Sequence, residues 1–290
     1  MKWLFKILST LGIFIFISCE KEITIDLPAQ PSQYVVEGWI EQDQPATVII
    51  TKSAPYFDPI DSITLFNSIV QNATVVVSDG FASETLVLSM NPSYFPYIMY
   101  MGNTLKGVVG RTYTLNISVD GNTLTSYTTI PAPRYLDSVW FKQAGNNDSL
   151  GYIFGKGSDN EAAQDYYRLF TKRIHRDKGF VPMLGSVWED KYFNGQTFTF
   201  QIYRGQASYI VSETPEDRKE FGKFRLGDTV IVKLSLLDYN HYLFWKSYEG
   251  ELFSGGNPFS NPASIKSNID GGLGVWGGYG SSYDTIVCHL

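Results

Sequence analysis

The chain has 290 residues and carries 23 Lys and Arg against 29 Asp and Glu. That acidic balance argues against a nucleic-acid partner, because phosphate binding needs clustered cations. Aromatics at 15%, together with 26 Gly and 13 Pro, favour strands and tight turns over helices, and the length suffices for one large β domain or two modest ones.

The chain opens on "MKWLFK", continues through an apolar run from Ile7 to Ile17, and reaches Ser18 and Cys19. A charged start, an apolar stretch and a small residue form the order of a secretory signal peptide. As a helix the apolar run would rise only about 17 Å. A spanning helix needs roughly 20 apolar residues, so the run is too short to serve as one. "FISC" is similar to the bacterial lipoprotein signal, in which the cysteine is diacylated and becomes the first mature residue. Residues 1–18 are therefore expected to be removed and Cys19 lipidated. Lys2 and Lys6 leave with the signal, so 21 basic residues remain against 29 acidic ones. Two acyl signals hold a protein stably at a membrane. The other cysteine, Cys288, then has no partner and is expected to be a buried strand-end thiol. A Cys19–Cys288 bridge would require an unprocessed N-terminus.

Residues 19–33, with Pro28 and Pro31, suit an extended tether. Strand-like segments follow at 34–40, 46–51, 73–78, 84–90, 112–119 and 122–130. "SDGF" and "VDGN" place Asp-Gly turns between alternating runs, a strong hairpin signal. The fold class expected is mainly β, with residues 34–130 an immunoglobulin-like antiparallel sandwich. Pro131 and Pro133 interrupt any ladder and mark the start of a second β-rich domain, 131–290. Its strands are expected at 165–174, 195–204, 228–237 and, last, in "DTIVC". The charged stretch "ETPEDRKEFGKFRLG" reads as a surface loop, and the basic cluster Lys172, Arg173, His175, Arg176 and Lys178, beside Asp177, as a hairpin tip. One helix is expected near 239–252, capped by Asp238. Its inward face would carry Tyr242, Trp245, Tyr248 and Leu252, leaving His241 and Lys246 toward water.

Chemistry-bearing motifs are sparse. Gly272, Gly274 and Gly277 match the spacing of a dinucleotide fingerprint, but no strand and helix flank them as that chemistry requires. A tight turn, or a strand passing close under other backbone, fits them better. No nucleophile elbow or zinc motif occurs, so no catalytic, metal or cofactor residues are assigned. Asp159, Glu161 and Asp165 are rich in oxygen but lack the full calcium-loop order, and read as a solvated loop. The aromatics of two connections stand out: Tyr56 and Phe57 in "SAPYFDP", and Tyr94, Phe95, Tyr97 and Tyr100 in "NPSYFPYIMYMGN". Either they close the core, or they form a ligand or partner surface.

Several stretches together resemble the DUF4249 family of outer-membrane lipoproteins of Bacteroidetes. They are "SCEKEITIDLP", "YVVEGWI", "TKSAPYF", "DKYFNGQTFTF", "GDTVIVKL", "YNHYLFWKS" and the tail "NPFSNPASIKSNIDGGLGVWGGYG". The resemblance implies a tethered all-β protein without established catalytic residues. It also implies an association with TonB-dependent β-barrel receptors, hence a noncatalytic ligand-capture or receptor-accessory role. Glu20 and Glu22 beside the cysteine are similar to a signal for display on the cell exterior. A cell-surface hydrolase acting on a polymer or peptide is the alternative, and would need a cleft with paired carboxylates or a Ser–His pair.

Overall fold

The computed structural model describes residues 31–54, 62–145, 149–159, 161, 163–191, 193–206, 214–254 and 264–289, without the side chains of Ser62, Glu216 and Asp217. Cys19, Tyr56 and Phe57 lie outside the described residues. Ser32–Leu290 makes one compact unit. No helix among the described residues is long and apolar enough to cross a membrane.

The protein is mostly β-strand. The first half contains β1 (Tyr34–Glu41), β2 (Pro45–Lys52), a short helix α1 (Ser62–Ser68), β3 (Thr74–Ser78), β4 (Ser83–Thr85), β5 (Val87–Met90), β6 (Ile98–Lys106), β7 (Thr112–Val119) and β8 (Asn122–Thr129). Both Asp-Gly turns form where expected. Asp79 Oδ1 accepts from the N–H groups of Phe81 and Ala82 at 2.9 and 2.8 Å, closing the β3–β4 turn. At the β7–β8 turn Asp120 and Gly121 both take positive φ, 47° and 77°, as a two-residue hairpin requires. The segment 98–106, part of which reads as a loop from its aromatics and prolines, is strand β6.

The second half contains β9 (Leu136–Gln143), β10 (Leu150–Ser158), β11 (Tyr166–Arg173), β12 (Val181–Glu189), β13 (Thr197–Ile202), the short helix α2 (Pro215–Lys219), β14 (Phe224–Arg225), β15 (Thr229–Leu236), α3 (Tyr239–Ser254) and β16 (Leu273–Val287). The charged stretch expected as a loop thus holds α2 and β14. Residues 273–280 of the glycine-rich tail and the expected last strand form one long strand, β16.

That strand organises the molecule. Its first part pairs in parallel with β1, Val35 opposite Leu273 through Glu41 opposite Tyr279. Its second part pairs antiparallel with β15, Leu236 opposite Gly280 through Thr229 opposite Val287. The sheet therefore runs β12-β11-β15-β16-β1-β2-β6-β5, joining strands from both sides of Pro131 and Pro133.

Because side chains alternate along a strand, β16 presents two distinct faces. One face carries Trp276, Ile286 and, just past the strand end, Cys288. It covers two cores, each closed by a four-stranded sheet. Trp276 packs with Val36, Val48, Val75 and Ile117 under the β4-β3-β7-β8 sheet. Ile286 and Cys288 pack with Leu136, Ile153, Leu169 and Val232 under the sheet of β13, β10, β14 and β9. Cys288 is a buried free thiol, as expected for a strand end, and burial pushes it up to about 12. The other face carries Val275, Tyr279 and Tyr283, and over it lies α3 with Tyr242, Phe244 and Trp245.

Two glycines of β16 are required by these layers. A Cβ on Gly277 would meet the His241 ring of α3 at 2.1 Å, and one on Gly280 would meet the Pro131 carbonyl at 2.0 Å from the opposite side. The fingerprint spacing is thus a strand passed closely on both faces, in agreement with the second reading of those glycines.

Candidate functional site

α3 begins as its sequence indicates. Asp238 Oδ1 accepts from the His241 N–H at 3.0 Å and its carbonyl accepts from the Tyr242 N–H at 3.0 Å. The helix is rotated from the face inferred from periodicity. His241 is 1% exposed, whereas Leu252 is 62% exposed, so His241 is a core residue and its expected place toward water is corrected. The cause is Gly277, which opens a slot for an imidazole that packs edge-on against Tyr279 at 4.7 Å. Burial, and secondarily Arg168, push His241 down to about 3. Lys246 does face water and pairs with Glu189 at 3.1 Å.

Where α3, the β11–β12 hairpin and the 91–97 connection meet over the sheet, they leave a cleft of about 690 Å³. Its floor is formed by Glu37 and Trp39 of β1, Tyr279 of β16, Arg168 and Phe170 of β11, and Lys233 of β15. Tyr94 and Phe95 stand on one wall and Phe180 on the hairpin. On the helix side stand Trp245, Tyr248 and Phe253. The 91–97 connection is held in place by an Asn91 N–H to Tyr97 carbonyl bond of 2.7 Å. It is also held by Gly179, whose Cβ would overlap the Ser93 carbonyl at 2.5 Å.

Four charged side chains line this cleft, Glu37, Arg168, Lys233 and Glu249, and a fifth, Glu41, pairs with one of them; they differ sharply in access. Lys233 Nζ donates to Glu41 Oε2 at 2.5 Å, and Glu41 also accepts from the Tyr283 hydroxyl. Both members of that ion pair are buried. Four rings, Phe170, Phe180, Tyr279 and Tyr283, lie within 5.1–5.9 Å of the ammonium. Burial pushes Lys233 down, and the carboxylate of Glu41 opposes that.

Arg168 is 5% exposed. It donates to the Tyr279 hydroxyl at 2.7 Å and to Ser186 Oγ at 3.3 Å, and its guanidinium lies 3.3 Å from the Trp245 ring centroid. Ser186 in turn donates to Glu249, whose carboxyl is pushed up by burial and drawn back by Ser186 and Arg168. Tyr279, fully enclosed, is pushed up to about 12.

Glu37 differs from the other four. Its side chain is open to the cleft, although protein surrounds it. Desolvation raises its carboxyl above the usual range, opposed only by the charge of Arg168, and no hydrogen bond to it forms among the described residues. Tyr94, Tyr248 and Tyr279 all feel its charge.

Of the aromatic residues singled out from sequence, Tyr94 and Phe95 line the cleft, with Tyr94 5.3 Å from Trp39. Tyr97 is 38% exposed beyond the wall, beneath Lys178. Tyr100 does not join them. It is a core residue on β6, 3% exposed, whose hydroxyl donates to the Val70 carbonyl and accepts from the Ala73 N–H. Glu37, Arg168 and Glu249 were missed by motif reading. The only sequence signal for them is a charge at an alternating apolar strand position or on a helix face, which is common in any protein.

The remaining charged motifs are structural. Asp165 is buried against Arg134 at 2.7 Å, and Asp159 accepts from the Tyr167 hydroxyl and the Gly195 N–H. The solvated-loop reading therefore fails for Asp165. The basic cluster is a hairpin tip, as expected, but a paired one. Arg173 binds Asp177 at 2.7 Å, and Arg173, Arg176 and Arg225 converge on Glu220. Among the described residues no group of His, Cys, Asp and Glu is placed to hold a metal ion.

A family model described as "Domain of unknown function (DUF4249)" matches residues 20–284. Nothing among curated proteins matches the chain. Among solved structures the chain is similar to the chicken interferon gamma receptor alpha chain at 9% identity. The similarity covers 71% of this chain and 89% of that one, with a TM-score of 0.18, too low to carry any argument about fold or function.

Proposed function

The chain belongs to the DUF4249 family, and from that premise we propose that it is a lipid-anchored outer-membrane protein that captures a small ligand in its aromatic cleft without turning it over. The observation that carries this reading is the cleft: about 690 Å³, walled mainly by aromatic rings, with a few polar groups converging on its floor. Those are the dimensions and lining of small-molecule sites in general. The anchor is Cys19, supported by the signal sequence before it. A TonB-dependent β-barrel receptor is the partner that the lipoprotein character favours, with this protein facing the cell exterior and handing ligand to the barrel. The two four-stranded sheets, each closing a core of its own over the common eight-stranded sheet, favour reading 34–130 as an immunoglobulin-like sandwich and 131–290 as a second β-rich domain, with β16 contributing to both.

The test is native purification of the full chain from its membrane in mild detergent, with mass spectrometry of what co-elutes. A small molecule retained by the wild type and lost from the Tyr94→Ser, Phe253→Ser variant supports the reading, since both residues stand on the cleft wall. Wild-type protein that carries neither ligand nor β-barrel counts against it. A hydrolase reading is favoured by one observation, that Glu37 and Glu249 in the same cleft are both held above the usual carboxylate range. It predicts that polymer or peptide substrates are cleaved and that Glu37→Gln or Glu249→Gln abolishes the cleavage.

A further inference from the structure

The charges of the cleft are unequally available, and this selects the chemistry of what enters. Three acidic groups, Glu37, Glu41 and Glu249, stand against two basic ones, Arg168 and Lys233. Lys233 is buried, its ammonium held by Glu41 among four rings, so it turns little of its charge toward a ligand. Arg168 is covered by Trp245 and engaged by Tyr279 and Ser186. Both cations line the floor, but each is nearly buried and already engaged, so the charge most open to an incoming molecule is that of Glu37. Such a molecule meets the Glu37 carboxylate, which no described residue hydrogen-bonds, and it meets the rings of Trp39, Tyr94, Tyr248 and Phe253.

A carboxylate and aromatic π faces attract the same kind of ligand. The ring quadrupole presents negative potential to a cation, and removing water strengthens both interactions. An anionic ligand would face Glu37 with only two nearly buried and already engaged cations to offset it, which costs more the drier the cleft becomes. A neutral apolar ligand would fill the rings but leave the carboxylate enclosed without a partner.

On the premise that the cleft is a ligand site, we propose that its ligand is a small organic cation, a protonated amine or guanidinium on an apolar body, with the charge on Glu37 and the body between the aromatic walls. Glu37 is open to the cleft and accepts no hydrogen bond from the described residues, so replacing it removes charge without breaking an internal hydrogen bond. That makes Glu37→Gln a clean probe.

The experiment is calorimetric titration of the full chain in mild detergent with three indoles that differ in charge: tryptamine, tryptophol and indole-3-acetate. Tryptamine is expected to bind about tenfold or more tightly than tryptophol, as a charge-assisted bond lost to a neutral group implies, with indole-3-acetate weakest. Glu37→Gln should bring tryptamine down to the level of tryptophol and leave tryptophol itself unchanged, and Glu37→Asp should retain part of the preference. Tryptophol or indole-3-acetate binding as well as tryptamine overturns the cation assignment while leaving the cleft as a ligand site. An unchanged preference in Glu37→Gln overturns it in the same way. Failure of all three to bind overturns the assignment and the premise together.

Discussion

His241 occupies the space that a side chain at position 277 would fill, its ring only 2.1 Å from where a Cβ on Gly277 would stand. α3 can approach β16 this closely because that one position has no side chain. The seating of the helix in turn places Trp245, Tyr248 and Glu249 over the cleft.

Gly277→Ala is accordingly expected to lift α3 off the sheet. Overpacking of a filled core costs about 1–3 kcal/mol, so a lower thermal midpoint and weakened ligand binding should appear together. Adding His241→Ala to it should recover part of the loss, since the new methyl then has room. Strict additivity of the two changes would show that the contact does not couple them.

Folding stability should fall in mild acid because of His241. Its folded-state value is about 3, below the ordinary 6.5, so between those pH values the unfolded chain takes up a proton that the folded chain refuses. Stability is thus unaffected by this group above pH 6.5 and declines as pH drops from there toward 3. Urea midpoints across that range should decline more steeply for the wild type than for His241→Gln.

Glu37 works in the opposite sense. Its carboxyl is raised in the folded state, so the charged form is a cost that disappears as pH falls through the folded value. Glu37→Gln should therefore melt at the same temperature as the wild type or higher at neutral pH, with the difference closing in acid. A marked drop in melting temperature at neutral pH would mean that Glu37 supports the fold rather than the ligand.

Glu220 pairs with Arg173, Arg176 and Arg225, of which Arg173 also pairs with Asp177 and Arg176 with Asp228. Burial alone would raise its carboxyl, but the bond from Arg225 and the charges of the arginines hold it low. This contribution is complete above the unfolded carboxylate value and is lost as pH falls through the lower folded one. Glu220→Ala leaves Arg173 with Asp177 and Arg176 with Asp228 but strips Arg225 of its carboxylate, and because Arg176 and Arg225 are a third to a half exposed it should cost about 1–2 kcal/mol, less than a fully buried pair, measured by urea unfolding. An effect within about 0.5 kcal/mol would show that the cluster behaves as a solvated surface network.

Local rules account for what was legible without the fold. Hairpins at Asp79-Gly80 and Asp120-Gly121 follow from Asp-Gly turn chemistry, and β7 from alternation over its eight residues. The cap at Asp238 follows from one side chain reaching a nearby N–H group. β6 was obscured because its aromatics and the prolines before it look like a loop, and Tyr100 because burial depends on what lies across from it. The strand character of 273–283 was hidden by its glycines. Sequence periodicity treats them as breakers, while the structure uses them to admit neighbours on both faces.

By itself the sequence determined the class of the protein: an acidic β-rich body and the turns that set its hairpins, each readable from residues within a few positions of one another. Only the tertiary structure decided where a ligand could bind. Glu37, Tyr94, Arg168 and Trp245 are distant in the chain and share no motif, and they meet because β16 pairs with β1 along one part and β15 along the other. Their relationship depends on long-range pairing and on which face each alternating side chain takes, information that no local window of sequence contains.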